Sequence, residues 1–275
     1  MLSPLRVKVK IARSSISPGA LAATACLLAV SSPGWGAFEG LSDRAGDRAF
    51  GGAWWCGDFQ RGAVRIERVW RFGLPELATG RCRAAFSMGD AVCALGWYSA
   101  GDDTYRENQV SFGLGYRRRG WSALVSVDRY LLRIEGYGSA SAPGVSVTAA
   151  APIGSWVLLS GGASGLWTGR VRRGCHDISR IGWMEITLRG DSAVSLAGSV
   201  EAPLGGVLRS DRVNCALAVR GRVARGLKGV VLMAENPARA GVGLEIPFGQ
   251  ALFYASTVFV PRLGSTQRLG LGFEW

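Results

Sequence analysis

The residue types able to do chemistry are few and poorly placed for it. The only histidine in 275 residues is His176, beside Asp177 in a charged stretch that follows Arg172-Arg173-Gly174-Cys175. A serine or cysteine nucleophile needs a base within reach and a third group to orient that base. One histidine offers the base with no partners at a recognisable spacing. No G-x-S-x-G elbow occurs, and Gly161-Gly162-Ala163-Ser164-Gly165 lacks the lysine of a phosphate loop. His176 therefore reads as a surface side chain, and the residues point to no catalytic centre.

Cys56, Cys82, Cys93, Cys175 and Cys215 lie beyond the leader described below, an odd number with no C-x-x-C spacing. With one histidine, a Cys/His metal site runs short of ligands. The cysteines read as isolated residues on apolar strand faces, with no disulfide framework. No metal and no cofactor is expected.

Six carboxylates, Glu107, Glu135, Glu185, Glu201, Glu245 and Glu274, are mostly single members of alternating stretches. Such residues suit a wet interior, where they would be solvated or paired with arginines such as Arg189 or Arg220. The alternative use is a selectivity ring. Trp54-Trp55, Trp121, Trp156 and Trp183 fall near segment ends, as an aromatic girdle would.

These side chains need a scaffold, and the sequence indicates which one. Arg6, Lys8, Lys10 and Arg13 precede the apolar run Ala20 to Val30, the order of a secretory signal. Gly34-Trp35-Gly36 places small residues where a signal peptidase reads, so residues 1–36 are assigned to the leader. Cleavage after Ala37 would put Trp35 three residues back, and Cys26 is followed by more of the apolar run, unlike a lipoprotein signal. Beyond residue 37 no stretch supplies the ~18 apolar residues that a membrane-spanning helix requires. A mature protein in a membrane would then have to be a closed barrel.

The chain carries a formal charge of +12, mostly as arginines scattered at segment ends, such as Arg117-Arg118-Arg119. That arrangement favours a solvated rim touching anionic lipid headgroups over a nucleic-acid surface.

Residues 62–275 repeat one theme, an alternating run followed by glycine, proline or charge. At the end of the chain Leu269, Leu271, Phe273 and Trp275 share one face, with Arg268, Gly270, Gly272 and Glu274 on the other. Similar runs are Val110 to Tyr116, Met184 to Arg189, Val194 to Glu201 and Gly241 to Ile246. Strands are predicted near 62–73, 79–88, 91–98, 106–118, 120–133, 142–152, 156–168, 180–189, 192–202, 213–222, 227–234, 239–247, 250–260 and 265–275. The fold class is all-β, an antiparallel transmembrane barrel of about 14 strands, with 12 as the alternative. A soluble sandwich would also alternate. The aromatic carboxy-terminal residue favours the barrel, because outer-membrane barrels share a last strand that ends this way and is read by the assembly machinery.

Three stretches carry a resemblance to a known family. Arg48-Ala49-Phe50-Gly51-Gly52-Ala53 looks like an amino-terminal glycine motif, and Ile134-Glu135-Gly136-Tyr137-Gly138 like a glycine-tyrosine segment before a middle strand. Glu235-Asn236-Pro237, Gly241 to Leu244, Tyr254-Ala255 and Pro261-Arg262-Leu263-Gly264-Ser265-Thr266 follow the order of a final hairpin. Together they resemble the PorV/PorQ-type outer-membrane proteins, relatives of the FadL fatty-acid channel. Where that family carries an asparagine-proline-alanine segment, Cys56-Gly57-Asp58-Phe59-Gln60 stands here, so 37–61 is read as an amino-terminal segment forming a degenerate hatch.

The resemblance implies a non-enzymatic protein of the cell outer membrane that supports export or display of proteins. The alternative it implies is a FadL-like channel for hydrophobic small molecules. Expected partners are outer-membrane lipid, the barrel assembly machinery during biogenesis and exported proteins, with no nucleic acid.

Overall fold

The computed structural model describes residues 61–168, 180–189, 194–204, 213–224, 226–235, 238–261 and 263–275. Fourteen strands form one closed barrel: β1 (Gly62–Arg71), β2 (Leu74–Met88), β3 (Ala91–Gly101), β4 (Tyr105–Arg118), β5 (Trp121–Ile134), β6 (Gly138–Ile153), β7 (Val157–Thr168), β8 (Ile181–Arg189), β9 (Val194–Pro203), β10 (Asn214–Ala224), β11 (Leu227–Glu235), β12 (Arg239–Phe248), β13 (Ala251–Val260) and β14 (Gly264–Glu274). Each strand pairs antiparallel with its sequence neighbours, and β1 pairs with β14 to close the wall. The expected architecture and strand number both hold. The amino-terminal segment through residue 60, with Cys56, and the stretch holding Cys175 and His176 lie outside the described residues.

Alternation decides which side chain faces where. On β14, Leu269, Leu271 and Phe273 are exposed at 44%, 60% and 46%, while Arg268, of the opposite parity, is 3% exposed. Apolar side chains therefore point outward and polar or small ones inward, the inverse of a soluble domain and the pattern of a wall between lipid and a lumen. That outward apolar band on a closed barrel places the protein in the outer membrane. Trp121, Trp156 and Tyr116 are exposed near one rim, with Trp97, Trp167 and Tyr137 near the other, as two aromatic belts would be.

Connections at the end shared by the two termini are short, including 89–90, 119–120, 154–156 and 249–250. The opposite end carries 72–73, 102–104, 135–137 and 261–263 but also the longer 169–180 and 204–213. Short turns on the periplasmic side and longer loops outside are the rule for such barrels, which assigns the start of β1 and the end of β14 to the periplasmic rim. The first extracellular turn is tighter than expected, because β2 begins at Leu74 rather than near 79. Phe72 and Gly73 both adopt positive φ (55° and 72°), the two-residue geometry that matches the twist of hairpin strands.

Among the described residues the wall slips register in three ladders: β1–β2 between Val69 and Arg71, β10–β11 between Arg222 and Ala224, and β6–β7. Between Val145↔Trp167 and Val147↔Ala163 the β6–β7 register slips, and Gly165 takes a φ of 65° within the bulge. Among the described residues, pairing of β7 with β8 stops at Ser164↔Ile181, beyond which Trp167 and Thr168 still pair with β6.

Candidate functional site

The candidate site is the lumen, built from inward positions that line up strand to strand. Because partners across an antiparallel ladder point to the same side, the register converts a sequence into rows. One row runs Lys228, Glu245, Tyr254, Gly270, Glu67, Arg81, Tyr98, Gln109, Tyr130 and Ala142, from β11 through the β14–β1 seam to β6. Charges of both signs alternate with aromatic rings along it.

The seam is the best-ordered part of that row. Tyr254 reaches across Gly270, where even a Cβ atom would come within 2.2 Å of its ring, and donates its hydroxyl to Glu67 Oε2 at 3.0 Å. Arg81 donates from Nη1 to Glu67 Oε1 at 3.2 Å, and its guanidinium lies 5.5 Å from the centre of the Tyr98 ring. One carboxylate thus joins β13, β1 and β2, while glycine on β14 makes room for the ring that bridges it. At the periplasmic rim Arg65 meets Glu274 at 3.6 Å, and the Trp275 ring lies over Gly62.

A second cluster sits under β4 to β6. Asp128, 2% exposed, accepts hydrogen bonds from Gln109 Nε2 at 3.1 Å, Ser111 Oγ at 2.5 Å and Ser146 Oγ on the neighbouring strand. Three neutral donors satisfy this buried carboxylate without a cation in the cluster. Tyr105 donates to Glu107 near the extracellular rim. In the 102–104 turn, the Thr104 hydroxyl and backbone amides of Thr104 and Tyr105 donate to Asp102, holding its carboxyl below the usual carboxylate range.

Nearer the extracellular end the same side of the wall changes character. Val258, Gly241, Leu232, Ala218 and Ala197 form a row across β13 to β9 with no polar side chain. Val258, Leu232 and Ala218 are 5%, 0% and 7% exposed, and Val230 beside them is 2% exposed. On β11 to β13 the lumen is therefore layered, with Lys228, Glu245 and Tyr254 four residues on the periplasmic side of Leu232, Gly241 and Val258.

The six expected carboxylates separate in the fold. Glu107, Glu185, Glu201 and Glu245 are buried on the lumen side, and Glu245 pairs with Arg220 at 3.0 Å as expected. Glu135 instead lies exposed in the turn before β6, because β5 ends at Ile134. Glu274 is half exposed at the rim. The four buried acids sit on β4, β8, β9 and β12, on different rows, so they make no selectivity ring. Trp183 is a correction: it shares the parity of buried Glu185, and a Cβ on inward Gly162 would meet its indole at 3.0 Å, so it stands inside the barrel and not in the girdle. Trp121 and Trp156 do stand outward.

Sequence reasoning passed over Glu67, Arg81, Tyr98, Asp128 and Tyr254, whose roles depend on partners from distant strands. Cys82, Cys93 and Cys215 are free thiols. Cys82 pairs with outward Ile66 and Trp97, and Cys93 with outward Phe86 and Leu114, so both fall on the lipid face. Among the described residues no group of acids, cysteines and histidines could hold a metal ion.

No protein-family model matches the chain, and no curated protein matches it. Solved structures do. The chain is similar to the toluene transporter TodX of P. putida, with a TM-score of 0.58 at 8% identity over 83% of this chain and 97% of that one. It is similar to the outer membrane protein Omp33 of Acinetobacter baumannii, with a TM-score of 0.50 at 9% identity over 79% and 99%. At these identities the likeness is one of fold: a closed outer-membrane barrel, here of fourteen strands.

Proposed function

We propose that the protein is a non-enzymatic outer-membrane channel for a small hydrophobic or amphipathic molecule. The observation that carries this reading is the apolar lumen row Val258–Gly241–Leu232–Ala218–Ala197, which on β11 to β13 lies four residues toward the extracellular end from the charged row. A water-filled pore for sugars or ions gains nothing from leucine and valine on its inner wall, because interior positions are ordinarily polar. A solute with an apolar body and a polar end would meet complementary surfaces in the two layers. The fold shared with TodX, described as a toluene transporter, supports the same class of cargo.

The test is uptake by proteoliposomes of a small aromatic hydrocarbon, with sucrose as polar control, for the wild type and Leu232→Gln. Expected is hydrocarbon flux that falls severalfold in the variant, with sucrose excluded by both. Hydrocarbon flux equal to that of protein-free liposomes would discard the channel.

The export and display role implied by the PorV/PorQ resemblance is a second reading. What favours it is that the Glu135–Tyr137 motif forms an exposed turn at the extracellular rim, with Tyr137 80% exposed, where an exported protein could be met. A surface protein that co-purifies with wild type and is lost on Tyr137→Ser, without hydrocarbon flux, would make that the function.

A further inference from the structure

The outer face of β4 to β6 does not look like a wall that meets only acyl chains. Outward positions there read Trp97, Val110, Arg129 and Pro143 across β3 to β6, then Ser99, Asn108, Leu131 and Ser141, then Gly101, Arg106, Arg133 and Ser139 nearer the extracellular rim. The apolar band stops at Trp97 and Val110, and arginine and hydroxyl side chains continue. These residues line an outward cleft of about 310 Å³, bounded by Asn108, Arg129, Leu131, Arg133, Ser139 and Ser141. On the far side of the barrel, near the same rim, another groove is lined mainly by apolar side chains such as Leu217, Met233 and Phe259, with Glu235 and Arg239 at its edge.

Its charges are poorly compensated. Arg106 is held by Asp103 at 2.8 Å, and Arg129 reaches Ser141 Oγ at only 3.4 Å. Arg133 makes no hydrogen bond or ion pair among the described residues, although it faces Arg106 across the ladder and Glu135 lies two residues away. Like charges directly opposite on neighbouring strands repel, so this pair persists against a local penalty. Two arginines four residues apart on one face stand about 13 Å apart along the strand, a span their long side chains can close onto one ligand.

We propose that this cleft binds the headgroup of a phosphate-bearing lipid of the outer leaflet, with Arg129 and Arg133 as its cationic clamp and Asn108, Ser139 and Ser141 as neutral donors. The position favours a lipid over a dissolved anion. Leu131 and the band beneath it offer the acyl chains a surface continuous with the headgroup site, and the guanidinium fork suits phosphate oxygens. The inference concerns the outer wall and is independent of what passes through the lumen.

The full chain in non-ionic detergent doped with phosphatidylglycerol or phosphatidylcholine tests it, retained lipid being counted by native mass spectrometry. Wild type should hold phosphatidylglycerol in preference to phosphatidylcholine. Arg129→Gln/Arg133→Gln should lower that retention about tenfold or more, Arg129→Lys/Arg133→Lys should restore much of it, and Arg118→Gln at the periplasmic rim should leave it unchanged. Both double variants should keep wild-type heat-modifiable mobility, because all four changes are on the surface. Undiminished retention in the glutamine variant, or equal loss in Arg118→Gln, would overturn the proposal. So would displacement of the lipid by millimolar inorganic phosphate, which would make the cleft a site for free anions.

Discussion

Gly270→Ala is a one-carbon change with a calculable consequence. A Cβ built at Gly270 lies 2.2 to 2.6 Å from Cζ, Oη and Cε1 of Tyr254. Carbon atoms in ordinary contact stand about 3.5 Å or more apart, so the ring has to retreat by about 1.3 Å. The Tyr254–Glu67 hydrogen bond, 3.0 Å in the wild type, cannot survive that movement. Loss of a hydrogen bond to a carboxylate costs about 1.5–3 kcal/mol, and the overpacked seam adds about 1–3 kcal/mol. The variant should therefore be destabilised by about 2.5–6 kcal/mol. Tyr254→Phe alone should lose only the hydrogen-bond part, since Glu67 keeps Arg81.

Urea unfolding of the barrel in detergent micelles, followed by tryptophan fluorescence and by heat-modifiable mobility, reads all three proteins. The double variant Gly270→Ala/Tyr254→Phe should cost scarcely more than Gly270→Ala, because both changes remove the same bond. Fully additive losses, or a Gly270→Ala barrel within ~0.5 kcal/mol of wild type, would refute the bridging role of Tyr254.

Three other changes probe different parts of the wall. Asp128→Asn replaces an acceptor of three hydrogen bonds with a side chain that brings its own donor, so the barrel should lose about 1–3 kcal/mol in the same urea assay. Leu244→Arg puts a charge on the lipid face near the middle of β12, where Leu244 is 47% exposed; the expected penalty is about 2–4 kcal/mol in liposomes, far above the effect in detergent alone. Phe72→Asn should raise stability by about 0.5–1 kcal/mol, seen as a higher unfolding midpoint, because Phe72 sits at a φ of 55° that asparagine tolerates better.

The barrel was legible in the sequence because its signal is periodic and local. Leu269, Leu271 and Phe273 opposite Arg268, Gly270 and Gly272 state both faces of β14 before any partner is known. Even the contact of Tyr254 with Gly270 follows once Val260 pairs with Gly264 across the last hairpin, since that turn fixes the register. The seam did not follow. Glu67 meets Tyr254 across 187 residues of chain, and only the closure of β1 on β14 makes them neighbours. Trp183 was misassigned because proximity to a strand end suggested a girdle, whereas the parity it shares with Glu185 places it inside. Leu74 to Ala78 looked like a loop because proline and a charge precede Thr79, yet the two-residue turn at Phe72-Gly73 lets β2 begin at once.

The Tyr254–Glu67 bond also says something about order in time. Glu67 belongs to the first strand made and Tyr254 to the last but one, so the carboxylate waits for its tyrosine through nearly the whole of synthesis and insertion. Until then Arg81 of β2 holds only its Oε1, and the other oxygen must remain hydrated, since a half-satisfied charge cannot enter hydrocarbon cheaply. An unfinished sheet must therefore keep its concave side wet while its convex side meets lipid. The arrival of β13 and β14 then converts an open, reversible edge into a latched ring in one late step.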